Sequence, residues 1–114
     1  MPLISLKYSP NVQGIDFAKI FTKVHAVLAE ITDIQSCKSW AECLNNTHVG
    51  TGETQHAIVL LQVSLLPGRS TEVKQHIGQQ LVNILNQALQ PLFSNLGLNC
   101  KPSVELRELG AYFS

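Results

Sequence analysis

His56-Ala57-Ile58-Val59-Leu60-Leu61-Gln62-Val63-Ser64-Leu65-Leu66, followed at once by Pro67-Gly68-Arg69-Ser70, is the stretch that decides the fold. The run is apolar at both alternating positions for most of its length, the pattern of a strand covered on both faces. Pro67-Gly68 then breaks the chain. Ser70 offers a hydroxyl to cap a helix, and Glu72 puts a carboxylate in its first turn. Val73, Ile77, Leu81, Ile84, Leu85 and Ala88 recur at intervals of three and four, which makes them one buried stripe. Pro91 is expected to kink or end this helix, leaving Leu92 to Leu96 as a separate turn, with Gly97 as a stop. Ser103 to Leu109 reads as a last strand, so residues 55–110 form a β-α-β unit.

The N-terminal part repeats that order. Leu3 to Tyr8 is a short strand ended by Ser9-Pro10-Asn11. Phe17, Ile20, Phe21, Val24, Leu28 and Ile31 mark a helix, with Asp16 at its start. A second strand follows, roughly Gln35 to Leu44. Its alternation sets Cys37, Ser39, Ala41 and Cys43 on one face and Lys38, Trp40 and Glu42 on the other. Asn45 to Thr54 is polar, carries Gly50 and Gly52, and reads as a loop.

The fold class is therefore α/β (α+β): a duplicated β-α-β unit forming a four-stranded mixed sheet with two helices on one face. Residues 1–114 make a single domain with halves at about 1–46 and 55–110. Two helices cover only one side of such a sheet. The other side is expected to carry Pro2, Ile4, Leu6 and Tyr8 together with Trp40, a patch larger than a monomer normally exposes. That predicts a closed symmetric oligomer.

The chain has 114 residues and a formal net charge of zero, with its few basic residues scattered singly. Nucleic-acid binding, which depends on a clustered basic patch, is excluded on that ground. No apolar run reaches the roughly 18 residues of a membrane span, and the start Met1-Pro2-Leu3-Ile4-Ser5 lacks the features of a signal peptide. The expected location is the cytoplasm. Cys37, Cys43 and Cys100 read as reduced thiols, and Asn45-Asn46-Thr47 as a polar loop. The four histidines lack metal-ligand spacing, nothing fixes Cys43 and His48 as a nucleophile and base, and no cofactor is expected.

Pro2 is the first candidate for chemistry. Removal of Met1 turns its nitrogen into a secondary amine at the head of a buried strand, whereas a retained Met1 leaves an amide without basicity. An α-amine titrates near roughly pH 8, and burial or a neighbouring cation lowers that value. Such a base suits proton movement on a carbon acid. Many chains nonetheless begin Met-Pro without catalytic consequence. Arg69 is the second candidate, an anion-binding fork at a strand-to-helix junction, though position alone favours a solvated arginine before a helix. Lys38 and Trp40 share a strand face and combine a cation with an apolar wall; equally, they suit an interface residue and its rim.

Met1-Pro2, Lys7-Tyr8-Ser9 with Asn11, Phe21-Thr22-Lys23-Val24, Gly68-Arg69-Ser70 with Glu72, and Val104-Glu105-Leu106-Arg107-Glu108-Leu109 together resemble the tautomerase superfamily. Within it the likeness is to the 5-carboxymethyl-2-hydroxymuconate isomerase family. The matches are scattered over nearly the whole chain. The resemblance implies a homotrimer of duplicated β-α-β units acting without a cofactor on a small unsaturated carboxylic acid. It implies Pro2 as base and then acid, with Arg69 binding a substrate carboxylate. Where the family has an arginine-rich segment, Ile-Arg-Ser-Arg-Ala, this chain reads Cys37-Lys38-Ser39-Trp40-Ala41. Lys38 and Trp40 thus replace two arginines, which points away from a dicarboxylate and toward a smaller or more apolar enol acid. The chain is also shorter than the family's members at its C-terminal end, so contacts from a longer tail are expected to be missing. Two other readings stay open. One is a proline-dependent dehalogenase or hydratase, with Glu42 or Glu105 activating water. The other is a non-catalytic oligomer that binds a small acid or a partner.

Overall fold

Six elements follow one another along the chain: β1 (Leu3–Tyr8), α1 (Phe17–Thr32), β2 (Lys38–Cys43), β3 (Val59–Leu65), α2 (Thr71–Leu96) and β4 (Ser103–Glu108). The structure, a computed structural model, describes residues 2–32, 36–111 and 113. The sheet order is β2-β1-β3-β4. β1 pairs parallel with β2, and β3 parallel with β4, as a helical crossover within each half requires. The two halves meet through the antiparallel pair β1–β3. The second strand starts at Lys38, and Gln35 lies outside the described residues. The third is shorter than expected, since His56 makes only an isolated bridge to Asn99.

Both helices pack on one face. Ile20, Val24 and Leu28 of α1 and Ile77, Leu81, Leu85 and Leu89 of α2 are buried against Ile4, Leu6, Leu61 and Val63 of the sheet. Each such side chain contributes roughly 1.5–3 kcal/mol through removal from water. Ser70 caps α2 as expected, its Oγ accepting the Val73 N–H at 3.2 Å. Gly97 closes the helix in the left-handed conformation at φ 67°.

Pro91 does not end α2. The helix runs through it to Leu96. The carbonyl of Gln87, deprived of its partner by the proline ring, belongs to an exposed residue, which lowers the cost of the lost bond. Leu89 and Phe93 hold the helix down on either side.

The uncovered face differs from expectation. Ile4 and Leu6 lie opposite Val63 and Leu61 beneath the helices, Tyr8 packs on Phe17 with ring centroids 5.3 Å apart, and Pro2 is buried. The open face instead carries Leu3, Ser5 and Lys7 of β1 and Lys38, Trp40 and Glu42 of β2. It continues with Leu60, Gln62 and Ser64 of β3 and Ser103, Glu105 and Arg107 of β4. Hydrogen bonds join these groups across strands: Arg107 to Glu105 at 2.8 Å, Gln62 to Glu105 at 2.7 Å, and Lys7 to Gln62. An apolar patch demanding cover is therefore absent from this side, and the oligomer needs another argument. The reason is pairing: the polar parity of β1 aligns with the polar parity of β3.

The loop between β2 and β3 is shaped by one close approach. Gly52 sits at φ 91°, and a Cβ there would lie 2.6 Å from Cε1 of His48. Gly52→Ala is expected to cost about 1–3 kcal/mol, part steric and part backbone strain. Urea denaturation checks this, and adding His48→Ala should recover the steric part alone. Among the described residues, no helix is long and apolar enough to cross a membrane.

Candidate active site

Strand polarity decides which candidate residues meet. Pro2 lies at the entry of β1, and its carbonyl accepts the N–H of Lys38 at 3.1 Å, because β2 starts beside it in the parallel pair. β3 runs the opposite way, so Ser64 faces Leu3 and the chain leaves the sheet next to Pro2. It turns through Leu66 and Gly68, the glycine at φ 115°, and enters α2. Arg69 is half-buried in that turn, donating from Nη1 to the Leu66 carbonyl at 3.1 Å. Pro2 and Lys38 thus adjoin at one end of the sheet, and Arg69 lies in the turn that leaves β3 at that same end. Trp40 stands two residues along β2 from Lys38, on the open face, 42% exposed.

Around Arg69 lies a small cleft of about 30 Å³ lined by Leu65, Leu66, Lys74, Leu106, Arg107 and Glu108. Two of its cations are matched: Lys74 with Glu108 at 2.6 Å and Arg107 with Glu105 at 2.8 Å. Arg69 and Lys38 form no ion pair among the described residues. Two unspent cations near a strand entry suit an anionic ligand. Larger hollows lie elsewhere. A groove of about 840 Å³ follows α2 beside Gln75, His76, Gln79 and Val104, and another of about 360 Å³ lies in the loop around His48 and His56. Neither contains Pro2, Lys38, Trp40 or Arg69. Size alone therefore does not mark the site.

On the open face, Glu42 accepts the Ser5 hydroxyl at 2.6 Å and the Trp40 indole N–H at 3.0 Å. These bonds, with the Lys7 charge beyond, hold its carboxyl below the usual range. The bonds of Gln62 and Arg107 do the same for Glu105. Burial pushes the Cys37 and Cys100 thiols up, Cys43 is exposed, and all three are free. Arg107, Lys74 and Ser5 escape a reading of the sequence. Cross-strand register brings Ser5 and Arg107 near the candidates, and the first turn of α2 brings Lys74; the one available signal is that Arg107 and Glu105 share a strand parity.

A four-stranded mixed sheet with paired β-α-β units and helices on one side is the fold of the tautomerase superfamily. A structure described as a fused 4-OT symmetric trimer superposes with a TM-score of 0.71 at 14% identity, over 95% of this chain and 87% of that one. A 5-carboxymethyl-2-hydroxymuconate isomerase from Deinococcus radiodurans R1 matches with a TM-score of 0.85 at 24% identity, covering 99% and 88% of the two chains. A 5-carboxymethyl-2-hydroxymuconate delta-isomerase matches at 0.83 and 14% identity, covering 100% and 86%. Comparison with curated proteins finds no significant match. The family model for 5-carboxymethyl-2-hydroxymuconate isomerase matches residues 2–113. The chain belongs to that isomerase family and has the tautomerase fold.

Proposed function

We propose that this protein is a cytoplasmic, cofactor-independent tautomerase that shifts a proton on an unsaturated 2-hydroxy or 2-oxo acid, with the Pro2 amine as base and then acid. The observation that carries the reading is the gathering of Pro2, Lys38 and Arg69 at one end of the sheet. With Met1 removed, burial and the two cations disfavour the protonated amine and leave a base near neutrality. That base takes a proton from one position of the enol acid and returns it at another, so nothing else is consumed. Arg69 and Lys38 neutralise the carboxylate and the negative charge that grows on the dienolate oxygen. Trp40 supplies the apolar wall. A single carboxylate with an apolar arm suits this set better than a dicarboxylate such as 5-carboxymethyl-2-hydroxymuconate, because Lys38 lacks the bidentate fork of an arginine.

The site is completed by a second copy, and the assembly is a trimer. A cleft of about 30 Å³ holds little more than a water molecule, whereas ligand sites usually span roughly 300–1,000 Å³. Both outer strands, β2 and β4, also end the sheet with open edges. The symmetric trimer among the similar structures supports the same assembly. Water activation by Glu42 or Glu105, which a hydratase or dehalogenase needs, is disfavoured: both carboxylates are engaged by donors and are poor bases. A purely acid-binding role remains the competing reading, favoured by Trp40 standing where the family has an arginine.

Ultraviolet absorbance on a panel of 5-carboxymethyl-2-hydroxymuconate, 2-hydroxymuconate and phenylenolpyruvate tests this, with intact mass confirming Met1 removal. No turnover of any of them by the Met1-free protein moves the reading to acid binding. Arg69→Ala is expected to lower kcat/KM about 100-fold, and Arg69→Lys to fall between the two, since lysine keeps the charge and loses the fork.

A further inference from the structure

We propose that Glu42 sets the substrate specificity of this site by clamping Trp40 and placing a fixed negative charge beside it, so that a ligand limb crossing the indole must be apolar and uncharged. The inference rests on Pro2, Lys38 and Arg69 forming the acid-binding end. Glu42 itself is rooted opposite Lys7, yet its Oε2 folds back over the neighbouring row, where Ser5 pairs with Trp40. There the same oxygen takes the hydroxyl of Ser5 at 2.6 Å and the indole N–H at 3.0 Å. Ser5 is only 6% exposed, so the clamp is anchored on the buried side.

Two consequences follow. Indole nitrogen donates and never accepts, and its one hydrogen is consumed by Glu42, so Trp40 presents only apolar surface to a ligand. Secondly, a ligand held by Lys38 at its carboxylate end and extending along β2 meets the Glu42 carboxylate next to the indole. Lys7, across from Glu42, is itself held by Gln62 and offsets that charge only in part. A second carboxylate at this position is repelled and loses the water that solvated it. A phenyl or alkenyl arm gains contact area instead. The same strand face that fails to offer a second arginine therefore selects actively against the ligands that needed one.

Trp40 is the only tryptophan in the chain, so its emission reports the clamp and the bound ligand directly. The experiment uses the full chain as wild type, Glu42→Gln and Glu42→Leu, with two unreactive probes: cinnamate, with one carboxylate, and cis,cis-muconate, with two. Expected results are tighter binding of cinnamate than muconate by wild type, and a muconate affinity raised about threefold in Glu42→Gln. That factor is what a unit charge about 7 Å away in a water-like dielectric produces. Cinnamate should stay within about twofold in Glu42→Gln, which keeps an acceptor for the indole. In Glu42→Leu cinnamate weakens and the Trp40 emission shifts. Equal gains for both probes in Glu42→Gln, or an emission unchanged in Glu42→Leu, overturn the proposal. If neither probe quenches wild type while the emission still shifts in Glu42→Leu, the clamp stands; the acid-binding reading of the site falls, and the specificity role with it.

Discussion

Pro2→Ala in the Met1-free protein should lower kcat on enol acids about 100-fold or more while leaving KM within a few-fold. General acid–base groups contribute roughly 10²–10⁴ in rate, and the proposed reaction has no second base to share the work. The variant keeps an α-amine, but a primary one on a flexible residue. The pyrrolidine ring locks rotation about the N–Cα bond and so fixes the direction of the amine lone pair at the strand entry. KM is spared because the carboxylate contacts come from Arg69 and Lys38 on other elements. The pH profile supplies an independent sign. The working form is the neutral amine, so kcat/KM should rise with pH through its pKa and level off above it. That pKa is expected below the roughly pH 8 of an unperturbed α-amine, for burial and both cations act in the same direction. Protein that retains Met1 should be inactive at every pH, since an amide nitrogen does not titrate. Turnover by Pro2→Ala within about threefold of wild type would falsify the role of the amine and assign the proton transfer to another group.

The elements were legible wherever a period was strong. Both helices follow their three-and-four spacing, and the parity of β2 separates Lys38, Trp40 and Glu42 from Ser39 and Ala41 just as the register shows. The orientation of β1 was not legible from its own residues. Leu3-Ile4-Ser5-Leu6-Lys7-Tyr8 is apolar at positions of both parities, so either face suits the core. What decides is the partner strand: Gln62 and Ser64 fall opposite Ser5 and Leu3, and Leu61 and Val63 opposite Leu6 and Ile4. Matching polar parities across two strands would have turned β1 the right way. For the candidate site, the sequence named residues but not where they lie. Lys38 follows from the sequence as a strand residue and Arg69 as a turn residue. Lys38 comes beside Pro2 because β2 pairs parallel with β1, and Arg69 comes to the same end because β3 runs antiparallel to β1, choices of pairing made by the whole sheet. The Ser5–Glu42–Trp40 clamp joins positions 37 apart in the chain, beyond any local pattern.

Phe93→Ala should cost about 3–5 kcal/mol, among the largest losses available to a single substitution here, and the figure depends on the helix passing Pro91. A chain that stopped at the proline would leave Phe93 in a loose turn, where truncation is tolerated. Instead the side chain is 2% exposed and belongs to the same buried stripe as Leu81, Leu85 and Leu89. Its backbone carbonyl also accepts the Leu98 N–H at 2.9 Å, part of the closure around Gly97. From there the chain passes directly to Asn99, whose carbonyl takes the Ala57 N–H at 3.1 Å and leads into β3 and β4. Removing the ring therefore opens a cavity and loosens the junction of helix and sheet together. Urea denaturation of the variant should show a lower midpoint with the slope nearly unchanged, the mark of lost stability without a change in the surface exposed on unfolding. Pro91→Ala provides the opposing test. Gln87 regains its helical hydrogen bond and the ring clash disappears, so stability should rise by about 1–3 kcal/mol. A loss in Pro91→Ala, or a cost below about 1 kcal/mol in Phe93→Ala, would mean that α2 ends at the proline after all.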